Sequence, residues 1–230
     1  MKCGNKVVAL LPIKKVSERV KNKNFRMMCG KPLYKWVLDT LLLCESVKKV
    51  VIDTDCELFI RDLNENYPSV ETILRPNEIR GNAVSMNKVI AHDISVCEED
   101  EYFLQTHTTN PLITIKTIDS AVNSFFTASS EYDSMFSVNR IQARTYWSDG
   151  SPVNHVLDEL KPTQELVPIM EENSNIFLFS QQSFNKTSSR IGERPLLFET
   201  PRMESFDIDE EEDFSFVSLL LQAMRGKIDD

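Results

Sequence analysis

The feature that most constrains this chain is an alternation: short apolar runs trade places with stretches of helical periodicity from residue 6 to residue 138. Val7-Val8-Ala9-Leu10-Leu11 is an unbroken apolar run ended by Pro12, the pattern of a strand buried on both faces. After a polar loop to about Lys31, the residues Leu33, Trp36, Val37, Thr40, Leu41 and Cys44 recur at helical spacing behind Pro32, a first-turn residue. Val50-Val51-Ile52 is a second buried strand. Helical segments near Glu57–Asn64, Ser85–Val96 and Thr114–Phe126 then alternate with strands at Thr72–Leu74, Tyr102–Gln105 and Ser134–Val138. The alternation specifies βαβ units, and so an α/β fold with a doubly wound, mostly parallel sheet. Ligands of such sheets gather outside the carboxyl ends of the strands. The loops after Leu11, Ile52, Leu74 and Gln105 are where chemistry belongs.

Beyond Val138 the pattern changes. Residues 139–175 carry Gly150, Pro152, Pro162 and Pro168 with little periodicity, and read as an excursion from the sheet suited to a dimerisation arm. Ile176–Ser180 and Pro195–Glu199 are two further strands, and Asp209–Arg225 is a closing amphipathic helix. With no repeat, linker or low-complexity tract, residues 1–230 read as one domain. No run approaches the ~20 apolar residues of a membrane span, and the first apolar run is too short for a signal peptide core, so a cytoplasmic protein is expected. The cysteines Cys3, Cys29, Cys44, Cys56 and Cys97 form no C-x-x-C pair and read as buried or half-buried thiols rather than disulfides or zinc ligands.

The net charge of −9 argues against nucleic acid or an anionic membrane as partner. That charge is unevenly distributed. Six bases against one acid between Leu11 and Arg26 give that loop +5, so the rest of the chain carries −14. Cations crowded at the end of the first strand suit a polyphosphate, and this position outweighs the alternative of a merely solvated lysine-rich loop. Neither G-x-G-x-x-G nor a Walker A loop is present, and the chain holds only six glycines.

Two other stretches carry chemistry. In Glu204-Ser205-Phe206-Asp207-Ile208-Asp209, an extended backbone points Asp207 and Asp209 the same way, and two such carboxylates can hold Mg²⁺. The competing reading is that these acids favour the N-terminus of the following helix. Asp53-Thr54-Asp55 repeats the spacing, and there capping is the stronger reading. Gln105-Thr106-His107-Thr108-Thr109-Asn110-Pro111 ends a strand in groups that can bond a ribose, a base edge or a sugar, or simply form a turn. His107, the lone strand-end histidine, reads as structural.

In this order and spacing the motifs resemble the acylneuraminate cytidylyltransferase family, the CMP–sialic acid and CMP–nonulosonate synthetases. The resemblance is carried by Pro12, Lys14, Ser17, Arg19, Lys23 and Asn24, then Gly30-Lys31-Pro32-Leu33, Arg75-Pro76, Ser85-Met86-Asn87 and Thr109-Asn110-Pro111-Leu112. It continues through Pro162-Thr163-Gln164-Glu165-Leu166, Glu172-Asn173, Arg190-Ile191-Gly192 and Glu204-Ser205-x-Asp207-Ile208-Asp209 with Asp213. It implies a nucleotide-diphosphosugar-transferase-like fold, a homodimer, and a Mg²⁺-dependent reaction of CTP with a nonulosonic acid. Lys14, Ser17, Arg19, Lys23, Asn24, Arg75, Ser85 and Asn87 are implied for CTP, with Lys14, Lys23 and Asp209 catalytic. Asp207 and Asp209 are implied as metal ligands, and Gln105, Arg144 and Gln164 as sugar contacts.

The chain departs from the family where Ile13-Lys14-Lys15-Val16 replaces a common Ala-Arg-Gly-Gly. Lys14 keeps the charge of Arg but not its fork. Three competing readings remain: another sugar nucleotidyltransferase, a glycosyltransferase with a D-x-D metal site, and a catalytically silent CTP-binding paralogue.

Overall fold

The computed structural model describes residues 6–97 and 99–225, and Cys3 lies outside them. In chain order the first half contains β1 (Val7–Leu10), the hairpin strands β2 (Met27–Met28) and β3 (Lys31–Pro32), α1 (Leu33–Leu43), β4 (Val47–Thr54), α2 (Glu57–Asn66), β5 (Glu71–Leu74) and α3 (Met86–Val96). The second half contains β6 (Tyr102–Gln105), α4 (Ile115–Ala128), β7 (Ser134–Ile141), β8 (Ile169–Ser180), α5 (Gln181–Thr187), β9 (Pro195–Glu199) and α6 (Glu211–Arg225).

Seven strands form one sheet in the order β5-β4-β1-β6-β8-β7-β9. Strands β5, β4, β1 and β6 run parallel, as do β7 and β9, while β8 is antiparallel to both its neighbours. The chain leaves β1 towards β4 on one side and later returns to β6 on the other. This switch point opens a crevice at the carboxyl end of β1.

Central β1 explains why its sequence is apolar throughout. Val7, Ala9 and Leu11 pack with Val37, Leu38 and Leu41 of α1 and with Ile118, Val122 and Phe125 of α4. Val8 and Leu10 turn to the other face, against Ile90 and Ile94 of α3 and Phe184 of α5. Period-two alternation thus feeds both layers. Cys44, Cys56 and Cys97 are buried, as the sequence suggests, and Thr114 caps α4 through its side-chain oxygen.

Two boundaries differ from the sequence reading. β4 begins at Val47, because Lys48 and Lys49 stand at its start and pair with Asp100, with Lys49 also meeting Glu71. β7 runs on to Ile141 and β8 starts at Ile169, so the ends of the 139–175 excursion belong to an antiparallel ladder. That ladder shifts register between Phe136 and Val138, and Ser174 takes φ 58°. Asn173, placed at this irregularity, accepts from Ser137 Oγ at 2.6 Å and donates to Thr200 Oγ1 at 2.6 Å. Among the described residues no helix is long and apolar enough to cross a membrane.

Candidate active site

The loop from Leu11 to Arg26 is held at both ends. Ile13 N–H donates to the Asp53 carbonyl at 2.8 Å, extending the line of β1 past Pro12. Further on, the Phe25 ring meets Phe59 edge-on at 4.9 Å, and Phe59 meets Tyr34 at 4.8 Å. Asn24 braces the middle: its amide donates to the Lys14 carbonyl at 2.9 Å and accepts from Thr108 Oγ1 at 2.7 Å. The hairpin that follows turns through Cys29 and Gly30 at φ 48° and 92°, the left-handed pair of a two-residue turn. Cys29 Sγ donates to the Ser218 carbonyl of α6 at 3.3 Å.

The Glu204–Asp209 segment lies across the β6–α4 loop. Glu204 accepts from Thr114 N–H at 2.9 Å, Asn175 donates to the Glu204 carbonyl at 2.9 Å, and Ile208 N–H donates to the Thr109 carbonyl at 3.0 Å. Ile208 is buried with Val20, Met28, Leu112 and Phe214, which fixes the carboxylates on either side of it. Asp213 accepts from the backbone N–H groups of both Asp209 and Glu210, starting α6 just after the acidic pair.

These two segments meet. Lys23 Nζ donates to the Ile208 carbonyl at 2.5 Å and lies 3.8 Å from Asp209 Oδ1, while Arg19 donates to the same oxygen at 2.6 Å. Burial lowers the Lys23 pKa, opposed by the charges of Asp209 and Asp207. Burial raises that of Asp207, with the Thr109 hydroxyl bond working against it. Asp207 Oδ1 is sealed from solvent and has no hydrogen-bond partner. A buried carboxylate oxygen without a donor, beside a second carboxylate, fits a hard divalent cation.

A cavity of about 340 Å³ opens beside this junction, at the carboxyl ends of β1 and β6. Lys14, Ser17, Lys23, Asn24 and Arg75 line it, with Val84, Met86 and Val89 as its apolar wall. Ser17 Oγ is buried and unpartnered. Lys14 Nζ donates to Asn82 Oδ1 at 2.6 Å, so Asn82 closes the rim. Past Asp207 lies a second recess of about 730 Å³, lined by Arg140, Gln142, Glu171, Thr200 and Arg202 among others. A recess of similar volume behind the first loop is walled by Phe25, Cys56, Leu58 and Phe59, away from the acidic pair.

A model of the family described as cytidylyltransferase matches residues 8–224. The chain belongs to the cytidylyltransferase family. It is 27% identical over 230 residues to N-acylneuraminate cytidylyltransferase of Escherichia coli O18:K1:H7 (strain RS218 / NMEC), covering 97% of this chain and 54% of that protein. It is 24% identical to CMP-N,N'-diacetyllegionaminic acid synthase of Legionella pneumophila, covering 94% of this chain and 97% of that one. The chain thus spans about half the length of the N-acylneuraminate cytidylyltransferases it matches. In fold it resembles a CMP:2-keto-3-deoxy-manno-octonic acid synthetase solved with CTP, with TM-score 0.68 and 12% identity over 95% of this chain and 99% of that one. It also resembles a 4-diphosphocytidyl-2C-methyl-D-erythritol synthase from Anaerococcus prevotii, with TM-score 0.65 and 11% identity over 95% and 97% of the two chains.

Within this cytidylyltransferase fold, the residues named from sequence divide into three groups. Lys14, Ser17, Lys23, Asn24 and Arg75 converge on the cavity, with Arg19, Asp207 and Asp209 at its edge. Ser85 and Asn87 flank the cavity-lining Met86 at the start of α3, where Asn87 Oδ1 accepts from Arg190 N–H at 3.4 Å. Gln105 is fully buried, while Arg144 and Gln164 lie out in the excursion, where Arg144 donates to the Lys161 carbonyl at 2.5 Å.

The structure adds residues that the sequence reading left aside. Arg190 lies over the Phe177 ring at 3.6 Å and donates to Gln105 Oε1 at 2.5 Å. Gln105 Nε2 and Arg190 Nη1 both approach His107 Nε2, at 3.1 and 3.4 Å. With two donors aimed at it, that nitrogen is the unprotonated one. Burial, then the charges of Arg190 and Lys23, lowers the His107 pKa to about 3, so the ring is neutral. Asp53 is no cap: it is buried and ion-paired with Arg75 Nε. Its charge is compensated from the loop after β5, whereas Asp55 accepts from Lys15 N–H at 2.6 Å and Thr54 Oγ1 from Cys56 N–H. Arg190 carried a sequence signal in its place in Arg190-Ile191-Gly192, and Asp53 in its D-x-D, but neither pattern named the partner each one meets.

Proposed function

We propose that the chain transfers the cytidylyl group of CTP to the anomeric hydroxyl of a nonulosonic, sialic-type acid and releases pyrophosphate. It does so as a Mg²⁺-dependent homodimer in the cytoplasm. The observation that carries this reading is the convergence of Lys14, Ser17, Lys23 and Arg75 in one cavity beside Asp207 and Asp209. The names of the relatives, which pair cytidylyl transfer with acylneuraminate or legionaminate, support the choice of substrates.

The cavity divides the work by residue type. Val84, Met86 and Val89 offer an apolar wall to the flat face of the pyrimidine, and Arg75 and Ser17 offer donors to its polar edge. Lys14 and Lys23 neutralise the triphosphate and, as the α-phosphorus bond to the leaving oxygen breaks, the charge that grows on pyrophosphate. Asp207 and Asp209 hold the metal, which when bound supplies charge neutralisation at the α-phosphate and acidifies the attacking hydroxyl. Arg19 releases Asp209 for that purpose and turns to phosphate. The acceptor sugar takes the recess beyond Asp207, where Arg140 and Arg202 suit its carboxylate. Arg144 and Gln164 reach the sugar from the excursion once a dimer is formed, and Gln105 sets the Arg190 guanidinium at its edge.

Pyrophosphate release, measured with CTP, UTP or GTP against a panel of nonulosonic acids and sugar phosphates, tests the reading. Turnover confined to CTP plus a nonulosonic acid, and lost in Asp209→Ala with the fold intact, is expected. Turnover with UTP or GTP and a sugar phosphate, or undiminished turnover in Asp209→Ala, would contradict it.

A further inference from the structure

Beneath the nucleotide cavity, Asp53 of β4 and Asp93 of α3 are each 1% exposed, and Arg75, 6% exposed, donates from Nε to Asp53 Oδ1. Asp53 Oδ2, Asp93 Oδ1 and His92 Nδ1 are sealed from solvent without a hydrogen-bond partner. The three side chains bring their ligand atoms within 4.8 Å of one another. His92 Nδ1 stands 3.7 Å from Asp93 Oδ1, beyond hydrogen-bond reach. The charged and titratable groups facing the pair are Arg75 from the loop after β5, His92 on α3, and the buried Cys97 thiol just past the end of α3.

Two buried carboxylate oxygens without a donor, beside an unpartnered ring nitrogen, call for a positive charge of some kind. With both acids ionised, Asp53, Asp93 and Arg75 together carry −1. One proton brings the group to zero and gives Asp53 Oδ2 the donor it lacks. A divalent ion would leave +1 against a guanidinium already in contact with Asp53, at a cost in a site this dry.

We propose that Asp53 and Asp93 share a single proton, Asp93 being held as the neutral acid that donates to Asp53 and so fixes the carboxylate on which Arg75 rests. Burial foremost, and then the Asp53 charge, raises the Asp93 pKa to about 9. Burial also raises that of Asp53, against the pull of Arg75. Asp93 is thereby a positioning residue for Arg75; that consequence rests on reading the cavity as the nucleotide site, while the shared proton does not.

The pair has a signature in stability. An acid whose folded pKa is raised from the usual carboxylate value to about 9 binds a proton in the folded state that the unfolded chain has released, so stability is lost as pH climbs through that window. Melting temperature is measured from pH 5 to 9.5 for the wild type, Asp93→Asn and Asp93→Ala, with carboxyl ¹³C NMR of aspartate-labelled wild type as a check that needs no variant. Calorimetry with CTP and Mg²⁺ follows on all three proteins.

The expected result is a melting temperature that falls with pH in the wild type and falls less in Asp93→Asn, which at pH 8–9 is at least as stable. One aspartate carboxyl stays protonated above pH 7. Asp93→Asn keeps CTP affinity within about two-fold, since its amide still donates to Asp53, and Asp93→Ala weakens it by ten-fold or more. The proposal is overturned if Asp93→Asn melts well below wild type at pH 8–9 or if every aspartate has ionised by pH 7. It is also overturned if Zn²⁺ or Mn²⁺ raises the wild-type melting temperature and His92→Ala abolishes the rise. Should no form bind CTP while the pH signature persists, the functional reading fails and the shared proton stands.

Discussion

Lys23 joins the two halves of the site: its ammonium donates to the Ile208 carbonyl at 2.5 Å and faces Asp209 Oδ1 at 3.8 Å. A cation from the loop after β1 is thus held by the backbone of Ile208, 185 residues later in the chain and between two acids. Its side chain is 12% exposed, so its charge acts in a medium that screens little.

Lys23→Ala should therefore lower pyrophosphate release by about 10²–10³-fold with the fold retained, the range for losing one preorganised charge partner of a transition state. The pH profile is the sharper test. Burial lowers the Lys23 pKa from the ordinary lysine value, so its positive charge disappears as pH rises through that lowered value. Activity should decline on the alkaline side at a lower pH than an ordinary lysine gives, and Lys23→Arg should move the decline upward. A profile identical in wild type and Lys23→Arg would remove Lys23 from the chemistry.

Asn24 presents a separable case, because it is both brace and cavity wall. Asn24→Asp keeps an acceptor for the Thr108 hydroxyl but loses the donor to the Lys14 carbonyl and adds a negative charge. The lost hydrogen bond costs about 1–3 kcal/mol of stability. Calorimetry should show CTP affinity falling at least ten-fold, beyond what the modest thermal shift accounts for, since in the proposed complex the new charge would face the triphosphate. Equal CTP affinity in the two proteins would mean that Asn24 is a brace alone.

Which parts were legible from sequence follows from how far apart the partners lie. The β1 run betrays its burial on both faces within five residues, and the basic loop is visible because its charge is local. Asp53 looked like a cap because its true partner, Arg75, is 22 positions away and Asp93 comes from another helix. The Gln105–Arg190 contact spans 85 positions and leaves no periodic trace. β8 hid its first half behind Glu171, Glu172, Asn173 and Ser174: the two glutamates are exposed on the strand, and the buried Asn173 serves the bulge and its hydrogen bonds.

Gly192 shows the same limit in a single residue. A Cβ there would fall inside the contact distance of Asp133 Oδ1 and Ser183 Oγ. Asp133 has little room to give way, since it accepts from Glu193 N–H at 3.1 Å and Arg194 N–H at 3.0 Å. Gly192→Ala should thus destabilise by about 1–3 kcal/mol, the range for overpacking a filled site. Because Arg190 is two residues upstream, activity should drop further than stability alone dictates. Thermal unfolding and turnover measured together check both, and an unchanged melting temperature would show that the loop yields freely.

The excursion between β7 and β8 leaves apolar surface that the protomer does not cover. Trp147 is 64% exposed, Leu157 66% and Leu160 85%, in a segment braced from within by Asn154, which donates to the Ala143 and Val167 carbonyls. Exposed large apolar side chains on this segment suit a surface covered by another protein, and in the proposed homodimer that cover is a second copy. Leu157→Glu combined with Leu160→Glu puts two charges into that surface without touching the sheet, so the protomer should still melt cooperatively. Sedimentation equilibrium should find a dimer for the wild type and a monomer for the double variant. Turnover should fall chiefly through a higher KM for the sugar, because Arg144 and Gln164 ride on the same arm. CTP binding, which the proposed function assigns to the cavity at β1, β6 and α3, should stay within about three-fold. A wild type that sediments as a monomer, with turnover equal to that of the variant, would show that the arm serves neither purpose.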